Sequence, residues 1–167
     1  QYVLSPFAAE PRTLIDILDI QNEMFISQTN MVTEDFAGRY SVFRVLAAKD
    51  DRAIAGLSMG GGHTLAATNN NPGTFAYIGV FSSGPQAIDE AYQKQLEAVK
   101  GGGVKFYWLG AGTTDTARER TVNLSGAVKK EGFNTTYREI PGRHYWFLWR
   151  DFLAQYAQIA FQPQAKS

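Results

Sequence analysis

Ser58 lies in the run Arg52-Ala53-Ile54-Ala55-Gly56-Leu57-Ser58-Met59-Gly60-Gly61-Gly62-His63, where a short apolar segment breaks into a serine fenced by glycines. Gly56 to Gly60 fits Gly-x-Ser-x-Gly, the pattern of a strained strand-to-helix turn that lifts a serine hydroxyl clear of the backbone. Glycine is expected on both flanks, because side chains two residues either side of the serine would collide with the neighbouring strand or helix. A serine hydroxyl is a poor nucleophile until an imidazole takes its proton, and the imidazole needs a carboxylate to hold its tautomer and stabilise its charge. The sequence offers both partners. Asp115 follows the loop Gly110-Ala111-Gly112-Thr113-Thr114, and His144 ends the turn Pro141-Gly142-Arg143-His144. The helix N-terminus expected directly after the turn offers free N–H groups and a positive dipole end beside the serine, where an oxyanion would form, and the Met59 N–H is the expected donor.

The rivals for these roles are few. His63 is the only other histidine, and its place one turn into a helix suits packing or capping better than catalysis. Asp89 and Asp151 fall within helix patterns as solvated groups, and Asp50 and Asp51 precede the serine's strand at its far end. Tyr145, Leu148, Trp149, Phe152 and Tyr156 follow helical spacing and read as core. Trp146 falls off that stripe beside His144 and is the candidate wall of an acyl or aromatic pocket.

The elements that must position these groups alternate regularly. The pattern predicts strands at Ala53–Leu57, Phe75–Ser82, Val104–Leu109 and Thr135–Ile140. It predicts helices at Gly61–Asn70, with Leu65 and Ala66 inward, and at Ile88–Lys100, Ala117–Glu131 and Tyr145–Phe161. Four strands alternating with four helices imply an α/β fold with a parallel sheet covered on both faces, its functional residues at the strands' carboxyl ends. Ser58, Asp115 and His144 each follow a strand. Before this rhythm begins, Tyr2–Ser5 reads as a short strand, and Leu14–Phe25 and Asn30–Phe43 as helices.

Composition narrows the chemistry. The 167 residues fit one domain, 1–167. Sixteen basic residues balance sixteen acidic ones without a basic run, so a nucleic-acid or anionic-membrane partner is not expected. With no cysteine and two histidines, thiol catalysis and most metal clusters are excluded, and neither a metal nor a cofactor is expected. No apolar stretch approaches the roughly twenty residues of a membrane span.

Asp51 to Gly61, Phe75 to Ser82, the Gly110 to Asp115 loop, and Pro141-Gly142-Arg143-His144 with Trp149-Arg150 together resemble the esterase D, or carbohydrate esterase family 1, type of esterase. This group includes bacterial feruloyl esterases and acetyl xylan esterases. The resemblance runs from about residue 45 to 162, and the order Ser, Asp, His is that of α/β-hydrolases. It implies an α/β-hydrolase fold without a cofactor, with Ser58 as nucleophile, Asp115 as acid and His144 as base. It also implies a secreted or periplasmic enzyme releasing hydroxycinnamic or acetyl groups from xylan. Only 57 residues precede Ser58, so the N-terminal part (1–44) reads as atypical or truncated. The sheet edge left without those early strands predicts a homodimer. Two other readings stand beside hydrolysis: a non-catalytic carbohydrate-binding or scaffold remnant, and acyl transfer to a sugar or peptide acceptor by the same three residues.

Overall fold

The computed structural model describes residues 48–161. The elements read at Tyr2–Ser5, Leu14–Phe25 and Asn30–Phe43, and the atypical segment 1–44, lie outside the described residues. After a 3-10 turn at Lys49–Asp51, the chain runs through β1 (Ala53–Leu57), α1 (Met59–Asn70), β2 (Tyr77–Phe81) and α2 (Glu90–Gly101). It continues through β3 (Phe106–Gly112), α3 (Arg118–Lys130), β4 (Thr135–Ile140) and α4 (Trp146–Ile159). The strands form one parallel sheet in the order β1-β2-β3-β4, with Gly56 level with Val80 and Leu109 level with Tyr137. Among the described residues β1 has a strand neighbour on one side only.

The two faces follow from the period of two along each strand. Ile54, Ile78, Val80, Tyr107 and Leu109 pack against Leu65 of α1, Leu96 and Val99 of α2, and Leu124 and Val128 of α3. Right-handed crossovers between strands that advance in one direction put all three helices on the same face. The alternate residues Tyr77, Phe81, Phe106 and Trp108 face α4, which supplies Leu148, Trp149, Phe152, Leu153 and Tyr156. Helix α4 follows the last strand and so is free to cover the opposite face. It is tied to β1 by the Tyr156 hydroxyl, which donates to the Ile54 carbonyl at 3.2 Å. The sheet is thus covered on both faces, as the alternating pattern predicts.

Three details differ from the sequence reading. β3 runs on through Gly110, Ala111 and Gly112 because the ladder to β4 continues to the Gly112–Ile140 pair, overriding the weak strand preference of glycine. In α1 the buried residues are Gly61, Thr64, Leu65 and Thr68, and Ala66 is exposed. The helix starts at Met59, two residues earlier than expected, and its inward face follows the i, i+3, i+4, i+7 spacing of Gly61, Thr64, Leu65 and Thr68. Tyr145 precedes α4 in extended conformation and is half exposed at 50%, not core.

Candidate active site

All three candidate residues leave the sheet at carboxyl ends of strands. Ser58 sits between β1 and α1 with φ 50° and ψ −118°, a left-handed backbone that a serine holds only under local strain. Its N–H is tied to the Phe81 carbonyl at 2.9 Å, and its carbonyl accepts from the Gly62 N–H at 3.2 Å as the helix begins. The glycines divide differently from the expected symmetry. A β-carbon on Gly56 would overlap the Gly60 carbonyl, and one on Gly61 would lie 2.5 Å from the Ser83 β-carbon. Gly60 faces open space. The steric demand behind the serine therefore falls on Gly61.

The Ser58 hydroxyl lies 2.7 Å from His144 Nε2, and His144 Nδ1 lies 2.8 Å from Asp115 Oδ1. Asp115 is buried, while the His144 side chain is 31% exposed. Burial would raise the Asp115 carboxyl, but hydrogen bonds from Ser82, the Ala117 N–H and His144 outweigh it and hold it below the ordinary carboxylate range. The Ala117 N–H donates to Oδ1 at 2.8 Å, and the Ser82 hydroxyl donates to Oδ2 at 2.5 Å. An ionised carboxylate only accepts, so His144 Nδ1 carries the proton and Nε2 presents its lone pair to the Ser58 hydroxyl. Such a chain can draw the proton from Ser58 and stabilise the imidazolium that results.

The rivals are occupied elsewhere. Asp50 pairs with Lys105 at 2.9 Å, Asp89 caps α2 by accepting from the Tyr92 N–H at 2.8 Å, and Asp151 accepts from Gln155 at 2.7 Å. His63 is exposed on α1. Trp146 is 59% exposed and packs edge-on to Trp149, with centroids 5.4 Å apart. With Gly56, Leu57, Phe81, Trp149 and Arg150 it lines a small groove beside the elbow. Among the described residues no cluster of acidic and histidine side chains fits a metal ion.

The sequence reading put Trp149 in the core and Ser82 at the end of a strand, and gave neither a part in the site. Trp149 meets the His144 ring at 87°, with centroids 4.7 Å apart, and its Nε1–H donates to the Ser82 hydroxyl at 2.9 Å. Ser82 also has a positive φ, of 50°. It is the polar residue at the carboxyl end of β2. The strand-end rule that located the other three, applied to this strand, would have found it. Trp149 carries no such signal, since its place on the apolar stripe of α4 accounts for it.

A parallel sheet with Ser, Asp and His converging above it in that chain order defines an α/β-hydrolase. Residues 41–158 match the model of the family described as "Putative esterase", and the chain belongs to that family. It is 34% identical over 122 residues to an endo-1,4-beta-xylanase/feruloyl esterase of Xylanibacter ruminicola, an alignment covering 72% of this chain and 16% of that one. A fluorophosphonate-binding serine hydrolase of Staphylococcus aureus superposes with TM-score 0.63 at 15% identity, over 78% of this chain and 62% of that one. A serine-to-alanine mutant of the feruloyl esterase module from Clostridium thermocellum, complexed with sinapinate, gives TM-score 0.54 at 18% identity over 71% and 50%. The chain thus spans at most about three fifths of the length of these relatives. Among the described residues no helix is long and apolar enough to cross a membrane.

Proposed function

We propose that this chain is a serine carboxylic-ester hydrolase working through an acyl-enzyme. The observation that carries the reading is the continuous Ser58–His144–Asp115 hydrogen-bond chain, 2.7 and 2.8 Å in its two links. Ser58 Oγ attacks the ester carbonyl carbon while its proton passes to His144 Nε2. The tetrahedral oxyanion is met by the Met59 N–H at the start of α1, since the Ser58 N–H is already engaged. Collapse expels the alkoxide, which takes the proton from His144, and a water repeats the cycle on the acyl-enzyme. Asp115 stays ionised throughout and holds His144.

The substrates proposed are feruloyl or acetyl esters of plant cell-wall polysaccharide, acted on outside the cytoplasm. The names of the Xylanibacter and Clostridium relatives support this choice, as does the exposed Trp146 beside the elbow. A homodimer is proposed on the side of β1 that has no strand neighbour among the described residues, and light scattering that finds only monomer would remove it.

The deciding experiment is intact mass after exposure to a fluorophosphonate. A single adduct on the wild-type chain that is absent from Ser58→Ala and retained in His63→Ala is expected. Labelling of Ser58→Ala, or none of the folded wild type, would overturn the mechanism. Equal rates on plain short-chain and feruloyl esters would remove the aromatic substrate.

A further inference from the structure

We propose that Ser82 is a positioning residue for Asp115, anchored by Trp149, and that this pair fixes the carboxylate against which His144 is held. The inference rests on the esterase reading above. Its core is a matter of donors and acceptors. The indole Nε1–H can only donate, so at 2.9 Å it must give its hydrogen to Ser82 Oγ. That occupies a lone pair of the hydroxyl and turns its single hydrogen toward Asp115 Oδ2, 2.5 Å away. With Oδ2 held by Ser82, and Oδ1 shared between the Ala117 N–H and His144 Nδ1–H, the carboxylate is fixed against rotation about its Cβ–Cγ bond. Two donor runs converge on the carboxylate: Trp149 to Ser82 to Asp115 from one side, Ser58 to His144 to Asp115 from the other.

Three further facts set Ser82 apart from an ordinary core hydroxyl. It is 1% exposed, so water does not compete for its hydrogen bonds. Its φ of 50° is a costly backbone for a serine, one that aims the side chain across the strand end toward β3. The Trp149 ring that anchors it also lies against His144. One indole therefore braces the acid through Ser82 and the base through its ring.

Ser82→Gly separates the hydroxyl from the backbone, because glycine accepts a positive φ readily. Ser82→Ala serves as the second variant. Two readouts apply to the full chain: kcat and KM on a p-nitrophenyl acetate probe, and the far-downfield proton resonance of His144 Nδ1–H in the uninhibited protein. Both variants, with native circular dichroism, are expected to lose about 10- to 100-fold in kcat, the loss of one hydrogen bond to a charged group, with KM within about twofold. The downfield proton is expected to broaden or vanish through faster exchange. Trp149→Phe keeps the ring on His144 but removes the donor. It should cause a smaller loss alone and none in the Ser82→Gly background. Unchanged kcat and an unchanged resonance in either folded Ser82 variant would overturn the proposal, and additive effects of the two substitutions would overturn the anchoring by Trp149. If the wild type proves inert to esters and fluorophosphonates, the esterase reading falls, while the resonance still decides the role of Ser82.

Discussion

Gly112 and Gly142 meet backbone to backbone: a β-carbon on Gly112 would overlap the Gly142 carbonyl and lie 2.7 Å from Leu148 Cδ1. Thr114 grips the same carbonyl twice, through its N–H at 3.0 Å and its hydroxyl at 2.9 Å. The loop carrying Asp115 is thereby fastened to the turn carrying His144. Gly112→Ala must push the two apart. It is expected to cost about 1–3 kcal/mol in urea denaturation, as overpacking does, and to slow fluorophosphonate labelling. A variant with native stability and labelling rate would show that the contact does not set the Asp115–His144 distance.

The elbow glycines should respond unequally. Gly56→Ala drives a methyl into the Gly60 backbone, and little folded protein is expected. Gly61→Ala meets Ser83 and should fold weakly. Gly60→Ala enters open space in a helix, where alanine is favoured over glycine by roughly 1 kcal/mol. Thermal melting should rank the three, with Gly60→Ala at or above wild type. A Gly60→Ala melting point well below the wild type would contradict the open space seen behind it.

Much of this was legible in the sequence, because the signals were local. β1 and β4 are bounded by turn residues that leave one reading, and Ser58, Asp115 and His144 stand at strand ends where a parallel sheet must collect them. What could not be read depends on contacts between distant residues. The extension of β3 through Gly112 comes from its partner strand, the exposure of Tyr145 from where α4 starts, and the demand for glycine at 61 rather than 60 from Ser83. Ser82 lay within reach of the strand-end rule, but its partners Asp115 and Trp149 come to it only through the fold.

Asp115 couples the site to acid stability. Its folded-state carboxyl is held below the ordinary value, so its contribution is fully present above the unfolded value of about 3.9 and is lost as the pH falls through the folded value. Asp115→Asn removes the titration. Its stability, followed by urea denaturation, should fall less steeply than the wild type's between pH 5 and the acid limit. Activity at neutral pH should drop on the order of 10⁴-fold, because an amide turned to donate toward Nδ1 selects the wrong imidazole tautomer. Parallel stability curves for the two proteins would mean that the carboxylate is not stabilised by folding.

Trp146 tests the substrate separately from the chemistry. Its indole is 59% exposed, packs edge-on against Trp149, and lines the small groove shared with Gly56 and Leu57, the residues just before Ser58. An aromatic acyl group seated there would gain ring contact worth about 0.5–1.5 kcal/mol beyond its buried area, whereas an acetyl group has no ring to make that contact. Trp146→Ala should therefore raise KM for a feruloyl ester about 5- to 20-fold, leave KM for an acetyl ester within about twofold, and leave the fluorophosphonate labelling rate unchanged. An equal rise for both esters would place Trp146 in the support of Trp149 and His144, since a displaced base penalises every substrate alike. No change for either ester would move the acyl group away from the groove.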